Sequence, residues 1–174
     1  MALRLEDKKA IVAEVSAIAS TALSAAAASY RGLSVAQLTQ LRQKARVSNV
    51  TIRVVRNTLA RRAFIGTEFE CMNDALVGPL VLAFSHAEPG AAAKVIRDFL
   101  KVCDKLEVKA LALGGQALPA SQLDRVAKLP TRNEALAVLL GVMKAPVEKF
   151  VRTLAEPTAQ FVRVVAAVRD QKQS

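Results

Sequence analysis

The sequence predicts an α+β chain in two parts, a mixed domain over residues 1–131 and a helix over residues 132–174. Three observations lead there. The 174 residues are 52% hydrophobic, mostly Ala, Val and Leu, with 4% aromatic and no Trp, enough apolar surface to offset the ordering entropy of a helix-rich core. Between residues 23 and 113, short apolar runs bounded by Gly and Pro alternate with stretches of helical spacing. From Arg132 onward only the helical period remains.

Taken in order, Leu5 to Ser20 is a helix, with Leu5, Ile11, Val12, Val15, Ile18 and Ala19 along one side. Leu23 to Tyr30 is a short apolar run closed by Arg31-Gly32 and is expected to be a buried strand. Ser34-Val-Ala-Gln37 has the spacing of a capping box and opens a helix carrying Leu38, Leu41 and Ala45. Val50 to Val55 alternates as a strand, with Val50, Ile52 and Val54 on one face and Thr51, Arg53 and Val55 on the other. Asn57 is the expected cap of a short helix reaching Gly66, with Leu59 and Ala63 inward and Arg61 opposite. Gly78 to Phe84 is a strand after a turn. Pro89-Gly90 introduces a helix through Cys103, with Val95, Phe99 and Val102 as its apolar positions. Leu106 to Leu113 is a further strand, closed by Gly114-Gly115, and Pro119 to Leu129 is a last short helix.

Without the first helix and the one bearing Arg61, the order from residue 23 to 113 is strand, helix, strand, strand, helix, strand. This is the ferredoxin-like split βαβ arrangement, a four-stranded antiparallel sheet with two helices on one face. Such sheets bind RNA by stacking bases on strand aromatics, and here only Tyr30 and Phe84 are available, both at strand ends. Contact with RNA is therefore expected through phosphate, shape and Arg.

Beyond residue 131, Leu136, Leu140, Met143, Val147, Phe150, Leu154, Phe161, Val165 and Val168 form a heptad-like seam in which Thr158 fills the skipped position. A helix of this length extends roughly 60 Å, against a radius of gyration of about 14 Å for the preceding domain, so it is expected to project. Its exposed apolar stripe requires a partner. Pro146 and Pro157 each remove a helix hydrogen bond and favour kinks, dividing the seam into about three segments.

The net charge of +10 is unevenly spread. Residues 1–66 carry +8, residues 67–131 carry −1 and residues 132–174 carry +3. No acid occurs between Glu14 and Glu68, whereas Arg31, Arg42, Lys44, Arg46, Arg53, Arg56, Arg61 and Arg62 all fall in that interval. A surface that only needs solubility mixes both signs, so an acid-free, Arg-rich stretch points to a polyanion, whose phosphates the guanidinium fork binds in two-pronged fashion. Acidic lipid is disfavoured, since no basic helix face is backed by large apolar side chains, and no run of about 20 apolar residues could span a membrane. The first residues mix acids and bases where a signal peptide would be apolar, so a cytoplasmic location is expected.

No catalytic constellation is present in the sequence. His86 is the only histidine, Cys71 and Cys103 are too far apart in sequence for a metal-ligand pair, and there is no Gly-rich phosphate loop. No catalytic residue, metal site or cofactor is assigned, and an enzyme is not expected.

Several segments carry a resemblance: Tyr30-Arg-Gly-Leu-Ser-Val, Leu41-Arg42, Arg53-Val-Val-Arg-Asn-Thr-Leu-Ala-Arg-Arg62, Gly78-Pro-Leu, Ala83-Phe-Ser, Pro89-Gly-Ala-Ala-Ala and Leu129-Pro-Thr-Arg-Asn-Glu-Ala-Leu136. In this order, over nearly the whole chain, they resemble the family of bacterial large-subunit ribosomal proteins numbered ten, the base of the ribosomal stalk. The resemblance implies a structural constituent of the ribosome whose N-terminal domain binds large-subunit (23S) rRNA beside the neighbouring protein numbered eleven. It implies that the C-terminal helix anchors dimers of the acidic stalk protein, which recruit translation GTPases, and that the chain with its dimers can bind its own operon's mRNA. Carried onto this sequence, Arg53, Arg56, Asn57, Thr58, Arg61 and Arg62 are expected to bind rRNA, with Arg31 joining them from the acid-free interval. The seam from Leu136 to Val168 is expected to hold two or three dimers, because the stretch around Glu156-Pro157-Thr-Ala-Gln-Phe161 looks like an added segment. The competing reading is an RNA-binding regulator of translation or transcription that dimerises through its C-terminal helix.

Overall fold

The computed structural model describes residues 4–103 and 105–173. Met1–Leu3, Asp104 and Ser174 lie outside the described residues, and with them the extreme ends of both predicted parts. The chain separates into two compact units, residues 1–131 and 132–174.

The first unit is built on an antiparallel sheet of strands β1 (Ser24–Ser29), β2 (Val50–Val54), β3 (Leu80–Ser85), β4 (Glu107–Leu113) and β5 (Gln116–Pro119), in the order β2-β3-β1-β4-β5. The first four strands have the ferredoxin-like order, and the fifth is an addition to the four expected. It follows from Gly114 and Gly115, whose φ angles of 55° and 77° make the two-residue reversal of a hairpin and return the chain antiparallel to β4. The helices are α1 (Leu5–Thr21), α2 (Val35–Val47), α3 (Asn57–Phe64), α4 (Ala91–Leu100) and α5 (Leu123–Ala127), with 3₁₀ turns at Glu70–Ala75 and Ala120–Gln122.

Both faces of the sheet are covered: α2 and α4, the two helices of the split βαβ unit, lie together on one face as expected, and α1 and α3, left out of that reading, cover the other. Ala26, Ala28, Val50, Ala83 and Leu111 meet Leu41 and Ala45 of α2, Ile96 and Phe99 of α4, and Leu123 and Val126 of α5. On the opposite face, Ala25, Ala27, Leu82, Phe84 and Ala112 meet Val15 and Ala19 of α1, Ala60, Ala63 and Phe64 of α3, and Phe69, Met72 and Leu76 of the intervening segment. The physical reason lies in β1 and β3, which are buried along their whole length and show no polar alternation. Phe64, Phe69 and Phe84 meet edge to face at 6.1–6.2 Å between ring centroids, so Phe84 is fully buried core and offers nothing for base stacking.

Local chemistry fixes the loops that shape the site. Ser34 accepts from the Gln37 amide at 3.3 Å while Gln37 Oε1 accepts from the Ser34 amide at 2.9 Å, the capping box read from the sequence, worth about 1 kcal/mol. Buried Ser24 Oγ lies 3.0 Å from Ser85 Oγ and donates to the Pro89 carbonyl, while Ser85 Oγ donates to the Glu88 carbonyl, pinning the loop after β3. Gly90 caps α4 where a Cβ would lie 2.8 Å from the Val126 carbonyl oxygen, so only glycine lets α5 approach so closely. Val102, expected inside, is 63% exposed because α4 ends at Leu100 and the chain turns away from the helical stripe.

The second unit is α6 (Arg132–Gln173), one helix that runs through Pro146 and Pro157 without interruption. Each proline lacks the N–H that would bond to the preceding turn, yet neither ends the helix. Eleven residues apart, the two fall within about 20° of one another around the helix axis.

Candidate nucleic-acid interface

The turn from β2 into α3 is where the expected RNA ligands gather. Arg56 stands in extended conformation immediately before α3, and its carbonyl accepts from the amides of Leu59 and Ala60, which starts the helix. Thus Arg56, not Asn57, occupies the capping position. Asn57 is the first helical residue, and its side-chain amide donates instead to the carbonyls of Leu76 at 3.3 Å and Gly78 at 2.9 Å. The sequence invites the other assignment because Asn is a favoured cap; here its amide is drawn to the carbonyls of a neighbouring loop. Tyr30, Arg56, Asn57, Thr58 and Pro79 border an open concavity of about 510 Å³ with no acidic residue in its lining.

Burial sorts the remaining candidates. Leu59, Ala60, Ala63 and Phe64 face the core, which leaves Thr58, Arg61 and Arg62 on the exposed side of α3. Arg62 makes no hydrogen bond or ion pair among the described residues, and the same holds for Arg56 and Thr58 side chains. Arg61 differs: its Nε donates to the Asn73 carbonyl at 3.2 Å and one Nη to the Leu76 carbonyl at 3.1 Å. With Asn57 it fastens the 73–78 segment to α3. Arg53 of β2 pairs with Glu14 of α1, both side chains being about half exposed. Such a pair contributes about 0–1 kcal/mol and exchanges readily with a phosphate. Arg31 is exposed in the turn after β1, beside Gly32 at φ 87°. The structure therefore brings Arg56, Asn57 and Thr58 together, sets Arg61 and Arg62 on the adjoining helix face, and places Arg53 and Arg31 away from that concavity's lining.

A second concavity, of about 910 Å³, flanks the outer edge of β2 and escaped the sequence reading as a site. Arg42 and Arg46 of α2, Asn49, Thr51 and Arg53 of β2 and its lead-in, and His86 line it. The signal was available. Leu41 and Ala45 point into the core, so Arg42 and Arg46, one turn apart, share the exposed face beside them. Asn49 ends α2 at φ 53°, a left-handed residue that reverses the chain into β2, and His86 stands between Thr21 and Thr51, 3.3 Å from each hydroxyl.

In the second unit, Leu136, Leu140, Met143, Val147, Phe150, Leu154, Phe161, Val165 and Val168 fall within about 80° of each other around the helix. All nine are 46–71% exposed, and no charged side chain interrupts the stripe between its ends. Leu139 and Val151 widen it on either side.

Among the described residues, no cluster of three or more His, Cys, Asp or Glu could hold a metal ion, and no helix is long and apolar enough to cross a membrane.

Comparison with known proteins follows the same division of the chain. The family described as "Ribosomal protein L10" matches residues 4–101, and "Ribosomal protein uL10 C-terminal region" matches residues 129–156. The large ribosomal subunit protein uL10 of Alcanivorax borkumensis is 63% identical over 174 residues, covering 100% of this chain and 99% of that protein. Those of Thioalkalivibrio sulfidiphilus and Hahella chejuensis are 59% and 60% identical, with at least 98% of each relative covered. Matches of this extent leave no part of the two-unit chain unaccounted for: it belongs to the ribosomal protein L10 family, structural proteins of the large ribosomal subunit and not enzymes.

Proposed function

We propose that this chain forms the base of the ribosomal stalk, holding large-subunit (23S) rRNA with its first unit and dimers of the acidic stalk protein with its second. The observation that carries the RNA half is the acid-free corner where β2 enters α3, with unpaired Arg56 and Arg62 beside a concavity bordered by Asn57 and Thr58. The first amides of α3 have no acceptor within the helix, so they add partial positive charge where Arg56 already stands. Phe84 is buried and Tyr30 is the single aromatic side chain bordering the concavity, so the contact works mainly on backbone and shape. Arg61 and Asn57 serve this site by holding the 73–78 segment in place.

The second half rests on the stripe of α6. Burying each of its large side chains is worth roughly 1.5–3 kcal/mol, so three or four per dimer outweigh the cost of association. The family match for the C-terminal region ends at residue 156, and the stripe continues through Phe161, Val165 and Val168, which supports a segment beyond the common portion and a count of two or three dimers. Dimers so anchored would present the domains that recruit translation GTPases. The neighbouring protein numbered eleven and the chain's own operon mRNA are the remaining partners in this reading.

The test separates the halves. Replacing Arg56 and Arg62 with Ala should weaken 23S rRNA binding and leave dimer binding intact, whereas Phe150→Ser with Phe161→Ser should release dimers and leave RNA binding intact. Native mass spectrometry of the complex counts the dimers, and one dimer per chain would refute the segmented stripe. A well-defined homodimer of the purified chain in light scattering would favour a regulator dimerising through α6.

A further inference from the structure

The groove along the free edge of β2 is absorbed neither by the α3 corner nor by the α6 stripe. The geometry points to a second phosphate-binding site there, formed by Arg42, Arg46 and Arg53 and built to hold the sugar-phosphate backbone of an RNA strand. This rests on the rRNA reading above and extends it to a separate surface.

Four observations favour that occupant. The lining holds three arginines and no acid, in a unit whose positive charge is concentrated in the same stretch of chain. Arg42 and Arg46 make no hydrogen bond or ion pair among the described residues, so their guanidinium groups are free to fork onto phosphate. They stand one helical turn apart, about 6 Å along the axis, a spacing suited to neighbouring phosphates of one strand. Beside them, Asn49, Thr51 and His86 supply further polar groups of the kind that meet ribose hydroxyls, and no Phe, Tyr or Trp lines the groove. Arg53 completes the set by leaving Glu14, a half-exposed pair that costs little to break. β2 is also the outermost strand, so the groove is open along its length.

The experiment measures binding of the full chain to purified 23S rRNA across roughly 50–200 mM salt. Three double variants are compared with the parent: R42A/R46A in the groove, R56A/R62A at the α3 corner, and R125A/K128A, two exposed charges on α5 and at its C-terminal cap, as a charge control. All three replace exposed side chains, and unchanged melting confirms that they fold. The groove pair should bind roughly tenfold more weakly, and its log–log salt slope should fall by about 1.4–1.8, two phosphates' worth. The α5 pair should change neither quantity. If R56A/R62A flattens the slope and R42A/R46A does not, the groove proposal fails while the rRNA reading stands. If the parent shows no salt-dependent binding, the rRNA reading fails and the groove with it. An equal loss in R125A/K128A would reduce the effect to distant charge and overturn the site. Binding of poly-glutamate that R42A/R46A abolishes, with rRNA binding untouched, would overturn it in favour of an acidic polypeptide.

Discussion

Arg61→Ala distinguishes a residue that touches RNA from one that shapes the surface RNA meets. The substitution removes donors at 3.2 Å and 3.1 Å from the carbonyls of Asn73 and Leu76. Hydrogen bonds from charged donors contribute about 1.5–3 kcal/mol when buried, and Arg61 is exposed, so about 1–2 kcal/mol for the pair is the appropriate scale. The Leu76 carbonyl keeps Asn57 as a partner and the Asn73 carbonyl is left to water, which holds the loss at that level. For a unit of this size the melting temperature should drop by roughly 3–8 °C. RNA affinity, measured well below the melting point, should fall while the salt slope stays constant, because no phosphate contact is lost. Thermal and urea denaturation followed by circular dichroism give the loss of stability, and a salt series of rRNA binding gives the affinity and slope. An unchanged urea midpoint together with a slope reduced by about 0.7–0.9 would show Arg61 on a phosphate and refute the positioning role.

Two further outcomes test the core that carries these surfaces. Phe64→Ala opens the contact with Phe69 and Phe84 and should cost about 3–5 kcal/mol, a large share of the roughly 5–15 kcal/mol total of an ordinary domain, read from the urea midpoint at constant slope. Gly90→Ala forces its Cβ against the Val126 carbonyl oxygen, and about 1–3 kcal/mol should be lost as α5 is displaced; a neutral result would mean that α5 yields freely.

Much of the first unit was legible because local chemistry and tertiary packing agreed. The Ser34–Gln37 box marks the start of α2, and the alternation along residues 50–55 sends Val50 and Ile52 to one core cluster and Val55 to the other, as expected. What escaped the reading was set by distant partners. Ser24–Ser29 is Ser and Ala throughout, so its pattern shows a buried strand without saying how many layers cover it. Phe69, Met72 and Leu76 lie in a 3₁₀ turn and its flanks, too short for periodicity to register, yet they complete the second core. Strand β5 has four largely exposed residues ending in proline, and only the Gly114-Gly115 hairpin signal announces it. At the candidate site the sequence marks which cations are numerous, and the fold decides which are free. Arg61 and Arg62 are neighbours in one motif, but a helix separates them by about 100°, which turns the first toward the Asn73 and Leu76 carbonyls and leaves the second unpaired.

The sheet has two unequal margins, β5 on one side and β2 on the other. A bare strand edge is a template on which another chain can add itself, and the β5 margin is blunted by its shortness and by Pro119, which has no amide hydrogen to give. The five-residue β2 margin has no proline. There, a second copy approaching edge to edge would bring Arg42 and Arg46 against their own counterparts, a repulsion that disfavours pairing of the margin with itself. Because the protection is electrostatic, it fades as salt shortens the screening length from about 8 Å at physiological ionic strength toward 3 Å at 1 M. Edge-to-edge pairing is thus opposed by charge on one side of the sheet and by covalent geometry on the other.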